Sequence, residues 1–336
     1  MTDDSDRELK PSAQGSAHGE GKFGHVSVLL KQAIDFLAVQ RGGTYLDATV
    51  GLGGHSFEIA KRLGAQGRLI GFDKDTRALE LARRRLLEPP EEMRSDWPSV
   101  TLVHASYAEV ATRVERGSLN GLLADLGVSS MQFEDPARGF SFQAEGPLDM
   151  RMNPLGELTA DQVVNQFDEK TLADLIYEFG EERRSRRIAR AIVRARPIRT
   201  TAHLAQVVSA AARPMKSPIA SKSGSRRGPR KPEQAERRIH PATLTFQALR
   251  IFVNRELEDL GALLEAAPKV LRKEGRLVMI SFHSLEDRMV KDTLREGARE
   301  GTWEVLTRKP VTADEEEIAG NPRSRSAKMR AARRTR

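Results

Sequence analysis

The run Leu46-Asp47-Ala48-Thr49-Val50-Gly51-Leu52-Gly53-Gly54-His55 lies between a β-type stretch, Thr44 to Asp47, and a helical one, Ser56 to Leu63. Glycines at a strand-to-helix turn let a ligand approach the backbone, and the helix N-terminus offers free N–H donors. A second strand, Arg68-Leu-Ile-Gly-Phe72, closes on Asp73, where a carboxylate reaches a ribose hydroxyl pair. Taken together these features predict a nucleotide-type site at the carboxyl ends of two adjacent strands.

The same alternation continues down the chain. Thr76 to Leu87 reads as a helix, Val100 to His104 as a strand and Gly121 to Asp125 as another, which predicts a parallel sheet with helices on both faces. From Gln132 to Asn153 the chain is loop-like, and helices are expected near 159–166, 171–179, 182–196 and 201–212. A Ser/Gly/Pro/basic stretch, Pro214 to Pro232, precedes one long helix from about 243 to 266, a strand from Gly275 to Ser281 and a helix from 285. The expected organisation is a disordered leader over 1–24 and a discontinuous α/β domain over 25–130 and 240–320. Between its halves lies a helical insertion over 131–239, with a basic loop at 213–238, and a basic C-terminal tail over 321–336 ends the chain.

At 336 residues with 39% apolar content, the chain has room for roughly two domains of ~150 residues. The absence of cysteine excludes disulfides, thiol catalysis and Cys-ligated metal centres, and the seven histidines show no paired ligand spacing, so no metal is expected. No apolar run approaches ~18 residues, and the N-terminus is acidic where a signal peptide is basic, which points to the cytoplasm and away from a membrane. The net charge of +8 is unevenly spread: Glu181 to Arg199 carries +6, Arg213 to Arg238 carries +7 and Asn321 to Arg336 carries +7, leaving an acidic remainder. Such concentration is the footprint of a polyanion partner. Arg183, Arg187, Arg190 and Arg194 recur at four, three and four residues on one helix face, with Ile188 and Ile192 on another.

The ligand could be NAD or S-adenosylmethionine. A dinucleotide fingerprint starting at Gly51 requires glycine at 56, where the chain has Ser56, whereas an acid ahead of alternating glycines suits S-adenosyl-L-methionine. Further strings then agree. His25-Val-Ser-Val-Leu-Leu, Gly53-Gly-His-Ser56, Asp125-Leu-Gly-Val-Ser-Ser130, Arg138-Gly-Phe-Ser-Phe142, Gly146-Pro-Leu-Asp-Met-Arg-Met152, His240-Pro-Ala-Thr, Ser281-Phe-His-Ser-Leu-Glu-Asp-Arg288 and Asn321-Pro-Arg-Ser-Arg-Ser326 are among them. With these strings the chain, from about 25 to 326, resembles the bacterial 16S ribosomal RNA cytosine-N4 methyltransferase family (RsmH, formerly MraW).

The resemblance implies a class I S-adenosylmethionine-dependent methyltransferase fold, Rossmann-like and mostly parallel, with an inserted all-α domain. The implied substrate is the N4 exocyclic amine of a decoding-region cytosine, cytosine 1402, in 16S ribosomal RNA, in naked RNA or a small-subunit particle. The oligomeric state stays open, a homodimer being one option. The cofactor contacts it implies are Gly53, Gly54, His55, Asp73, Tyr107, Asp125 and Gln132. Cytosine N4 is a poor nucleophile because its lone pair is delocalised into the ring, so a hydrogen-bond acceptor must orient it. Asp125 stands where that acceptor is needed, or else contacts cofactor alone. The usual aromatic after such an acid is missing, so base stacking falls to Phe133, Phe140 or Phe142, each otherwise a core residue. His283 reads as the acceptor of the N4 proton, as a phosphate contact or as a helix cap. The arginines at 183, 187, 190 and 194, and Arg226, Arg227, Arg230 and Lys231 in the basic loop, are the expected RNA-phosphate contacts. An NAD-dependent oxidoreductase and a noncatalytic RNA-binding protein are the alternatives.

Overall fold

The computed structural model describes residues 27–213 and 240–336. The expected leader and most of the basic loop, with Arg226, Arg227, Arg230 and Lys231, lie outside the described residues. Helix α1 (Leu30–Leu37) leads into strand β1 (Thr44–Asp47), followed by α2 (Gly54–Leu63), β2 (Arg68–Asp73), α3 (Thr76–Leu87), β3 (Ser99–His104), α4 (Val110–Arg113) and β4 (Leu119–Asp125). Asp75 starts α3 by accepting from Arg77 N, and the apolar positions Ala78, Leu79, Ala82 and Leu86 bury its inner face. After the insertion come β5 (Leu271–Ser281), β6 (Trp303–Val305) and β7 (Lys328–Arg334), in one sheet ordered β3-β2-β1-β4-β5-β7-β6. The first five strands are parallel, and β7 runs antiparallel to both of its neighbours, β5 and β6. The order reverses between β1 and β4, the position at which open α/β sheets bind ligands.

The insertion comprises α5 (Ser130–Glu134), α6 (Ala160–Gln166), α7 (Glu169–Gly180), α8 (Ser185–Ala195), α9 (Thr201–Ala212) and α10 (Thr243–Asn254); α11 (Glu256–Val270) returns to the sheet, and α12 (Ser284–Arg299) and α13 (Glu315–Gly320) follow. Its core has Val163, Leu172, Ile176, Ile188, Ile192, Leu204 and Leu249 at 0% exposure, separate from the clusters on the two faces of the sheet. Arg138 fastens the intervening loop to the α/β domain. Its guanidinium, 2.7 Å from Asp75 Oδ2, also donates to the carbonyls of Arg151 and Met152.

Two expectations are corrected. The single helix over 243–266 is two helices, because Arg255 takes the left-handed conformation (φ 53°) and turns the chain. α10 packs into the helical core through Phe246, Ala248 and Leu249, so the seam lies at Arg255 and not at residue 240. The C-terminal residues 328–334 are no tail. They form β7, hydrogen-bonded to β5 on one side and β6 on the other, with Met329, Ala331 and Ala332 fully buried. Arg330 tolerates that burial because Asp287 on α12 lies 2.7 Å from its Nε.

Candidate active site

The glycine run shapes one wall of a cavity at the switch point. Asp47, at 1% exposure, holds the turn from within: Oδ1 accepts from Thr49 N at 3.1 Å and Oδ2 from Ser56 Oγ at 2.6 Å. Burial pushes this carboxyl up to about 6 against both donors. Gly51 (φ 52°) has open space where a Cβ would stand and lines the cavity, and its N–H donates to Asp73 Oδ2 at 2.7 Å. Gly53 (φ 78°) instead backs onto Ala82 and Leu86 of α3, so its role is the turn, not the lining. Gly54 lines the cavity and has Ser27 Oγ packed so close that a Cβ would stand 1.9 Å from it.

Of the other expected contacts, His55, Asp73, Tyr107, Asp125 and Gln132 all line the same cavity. Asp73 spends one oxygen on Gly51 and the other on Asp75 N at 2.8 Å, and burial pushes it up to about 6. Tyr107 carries Lys74 Nζ 5.5 Å from its ring centroid, and burial pushes its hydroxyl well above the usual phenol value. Gln132 is drawn inward. Its amide nitrogen donates to Asp75 and its oxygen accepts from Ser129 N, so both polar ends already serve the protein. His55 Nε2 lies 3.1 Å from Val28 O, and its Nδ1 lies 3.7 Å from Asp125 Oδ2.

Asp125 differs from its neighbours. It ends β4, and its own N–H donates to Thr49 Oγ1 at 2.7 Å, but its Oδ1 is buried without a hydrogen-bond partner. Burial, reinforced by Asp47 and Glu286 and opposed by Arg323, pushes it up to about 8. The side chain is 23% exposed, so desolvation by the pocket walls, and not complete enclosure, raises it.

His283 does not reach this cavity. Phe282 turns toward the cavity and His283 turns under it, where Nδ1 caps α12 by accepting from Glu286 N, and Nε2 sits 3.1 Å from Glu286 Oε1. Glu256, His283 and Glu286 bring ligand-type atoms within 4.8 Å of one another. Arg250 donates to both oxygens of Glu256 at 2.8 Å, so this carboxylate already has a counter-ion within the cluster. Among the stacking candidates, Phe140 is core at 6% exposure and Phe142 stacks on His240 with centroids 4.5 Å apart. Phe133 is 37% exposed on α5, whose Ser130 and Gln132 line the cavity.

Arg187, Arg190 and Arg194 share one face of α8 around a shallow hollow, and Arg183 lies in the exposed turn before the helix. Glu181 and Glu182, the nearest acids in sequence, face elsewhere, toward Arg288 and the α8 N-terminus. Glu169 of α7 pairs with Arg190 at 3.1 Å. Sequence reasoning missed that Asn321 and Arg323 line the cavity; the string Asn321-Pro-Arg-Ser-Arg-Ser326 was the signal, read as part of a basic tail.

An acceptor-bearing, glycine-walled cavity at this switch point fits a nucleoside-type methyl donor: the space beside Gly51 is open and Asp125 Oδ1 is unpartnered. The chain is 67% identical over 96% of its length to a Ribosomal RNA small subunit methyltransferase H of Koribacter versatilis, covering 98% of that protein. It is 63% identical to the like-named protein of Acidobacterium capsulatum, covering 92% of this chain and 97% of that one. Neither relative is an oxidoreductase, which removes that alternative. The family model described as the MraW methylase family matches residues 22–335, nearly the whole chain, and with the sheet order, the cavity and these relatives it places the protein: the chain belongs to the MraW methylase family.

Proposed function

We propose that the chain methylates the N4 exocyclic amine of a decoding-region cytosine in 16S ribosomal RNA, using S-adenosyl-L-methionine, within the cytoplasm. The names of its relatives support ribosomal RNA of the small subunit as substrate. A single observation carries the N4 reading: Asp125 Oδ1, buried and unpartnered at the carboxyl end of β4, in a carboxyl held at about 8. When bound, S-adenosyl-L-methionine supplies an electrophilic methyl group on a cationic sulfur. Asp125 supplies what the amine lacks. In its ionised form it accepts an N4–H hydrogen bond, keeps the nitrogen lone pair out of ring conjugation and stabilises the positive charge that develops on nitrogen. A carboxyl held near 8 then takes the released N4 proton at neutral pH. Phe133, exposed and beside the cavity-lining Arg323, provides a ring for the extruded base, and Arg183, Arg187, Arg190 and Arg194, with Arg226, Arg227, Arg230 and Lys231, provide phosphate contacts.

Asp125→Asn tests this. Losing one preorganised group that acts on developing charge costs about 100- to 1000-fold. Single-turnover methylation should fall by that amount while RNA affinity stays within about threefold, and mass spectrometry of the wild-type product should find N4-methylcytidine. Methylation of another position, or an Asp125→Asn variant as fast as wild type, would overturn the reading.

A further inference from the structure

Arg323 reaches the pocket from the far end of the chain. A 3-10 turn over 322–326 leads into β7, anchored by Ser324 (0% exposed, its Oγ donating to Asn321 O at 2.8 Å) and by Ala327 (1% exposed). From this anchored turn the guanidinium forks across the segment that follows Asp125. Nη2 donates to Val128 O at 2.6 Å and Nη1 to Ser130 Oγ, and the guanidinium carbon lies 5.7 Å from the centroid of the Phe133 ring. Both Arg323 and Asp125 line the cavity.

We propose that Arg323 is a positioning residue for methyl transfer, its fork fixing the Val128–Ser130 turn that lines the cavity and its fixed charge favouring the ionised form of Asp125, which accepts from the amine. This rests on the reading that Asp125 stands at the reacting centre. Charged groups on four elements act on Asp125. Asp47 on β1 and Glu286 on α12 disfavour its ionised form, His55 on α2 presents Nδ1 at 3.7 Å, and Arg323 favours ionisation. Being always protonated, Arg323 keeps its effect at every working pH. Lysine would keep the charge but lose the planar fork, since a compact ammonium cannot hold a carbonyl and a hydroxyl in the same fixed geometry. The two functions are therefore separable.

The test compares the full-length wild type with Arg323→Gln and Arg323→Lys. Carbon-13 carboxyl resonances of the cofactor-free protein, with Asp125 assigned by difference against Asp125→Asn, give the titration midpoint of Asp125 without any turnover. In R323Q the midpoint should rise by about one pH unit or more, and in R323K it should stay within about 0.3 of a unit. In single-turnover methylation the acid limb of the R323Q profile should move up by the same amount, with a rate at pH 7 at least about tenfold lower that partly recovers by pH 9. R323K should leave the limb in place and lower the rate about three- to tenfold, with little change in RNA affinity. A midpoint in R323Q coincident with wild type would overturn the charge role. If R323Q does not fold, R323K decides: a wild-type rate overturns the fork, and a midpoint displaced like that expected for glutamine overturns the charge. A wild type that leaves N4 unmodified refutes the reading of Asp125 as acceptor, while the titration still reports on Arg323.

Discussion

Three aspartates close three adjacent strands, and the partners of each carboxyl oxygen divide their labour. Asp47 is committed to Thr49 and Ser56, Asp73 to Gly51 and Asp75, and Asp125 alone of the three keeps an oxygen without a partner. Asp73 therefore has two tasks, shaping the Gly51 turn and presenting its remaining lone pairs to the cavity. Asp73→Ala removes a charge-assisted acceptor worth on the order of 1.5 to 3 kcal/mol, so affinity for S-adenosylhomocysteine should fall roughly 10- to 150-fold by calorimetry, in a folded protein. Local sequence carried this level well where a residue type and a strand end coincide, as at Asp73 and Asp125. It failed where orientation decides. His283 sits one residue beyond the cavity-facing Phe282, and nothing in the string Ser281-Phe-His-Ser says which of the two turns under. Gly53 and Gly51 look equivalent in the sequence, yet only the packing of α3 tells which backs onto a helix.

At the scale of elements, the βα alternation was legible because each unit carries its own period, and Thr76–Leu87, capped by Asp75, coincides with its expectation. The break between α10 and α11 was not, since the apolar spacing runs through it without glycine or proline. Its signature is electrostatic: Glu256, Glu258 and Asp259 crowd the first turn of α11, where acids favour a helix N-terminus. Across that break Arg250 grips both oxygens of Glu256 at 2.8 Å, joining the insertion to the α/β domain. Arg250→Ala leaves Glu256, 3% exposed, without its counter-ion and should cost about 3 to 5 kcal/mol in denaturant unfolding. Arg250→Met with Glu256→Leu removes both charges and should cost clearly less. On the opposite side of the insertion, the α8 stripe makes its own prediction. Arg194 is exposed and Arg190 is bound only by a surface pair, which contributes little, so both are available to phosphates. Converting Arg187, Arg190 and Arg194 to glutamine should reduce the slope of log affinity for RNA against log salt by up to about two to three units, and leave the methylated base unchanged.

Considered whole, the molecule closes its sheet with its own C-terminus. The composition of residues 321–336, seven basic and no acidic, disguises a strand, because charge dominates its short apolar period. Met329 and Ala331 alternate with Lys328 and Arg330, and the acid that makes Arg330 tolerable, Asp287, lies 43 residues away, beyond any local pattern. The same assembly sets Asp47, buried, and Asp73 and Asp125, half-buried, at the ends of adjacent strands, and their ionisation couples the site to the stability of the entire fold. All three are raised above the ordinary 3.8, to about 6, about 6 and about 8. Between pH 5 and 8 the folded chain therefore retains protons that the unfolded chain has released, and stability falls as pH rises. The carboxyls held low by partners, such as Asp149 beside Arg151 and Asp287 beside Arg330, act in the opposite sense, but below about pH 4, where their unfolded counterparts begin to protonate. A proton bound only in the folded state is worth about 1.4 kcal/mol per pH unit, so Asp125 alone should lower stability by roughly 1 kcal/mol per unit from pH 6 to 8. The thermal midpoint of the cofactor-free protein should accordingly be highest near pH 5 and decline toward pH 8. Asp125→Asn should remove most of the decline above pH 6.5 and lessen it below, where Asp47 and Asp73 still contribute. A midpoint constant from pH 5 to 8 would show that these carboxyls are ionised in the folded chain, and that Asp125 meets its substrate already charged.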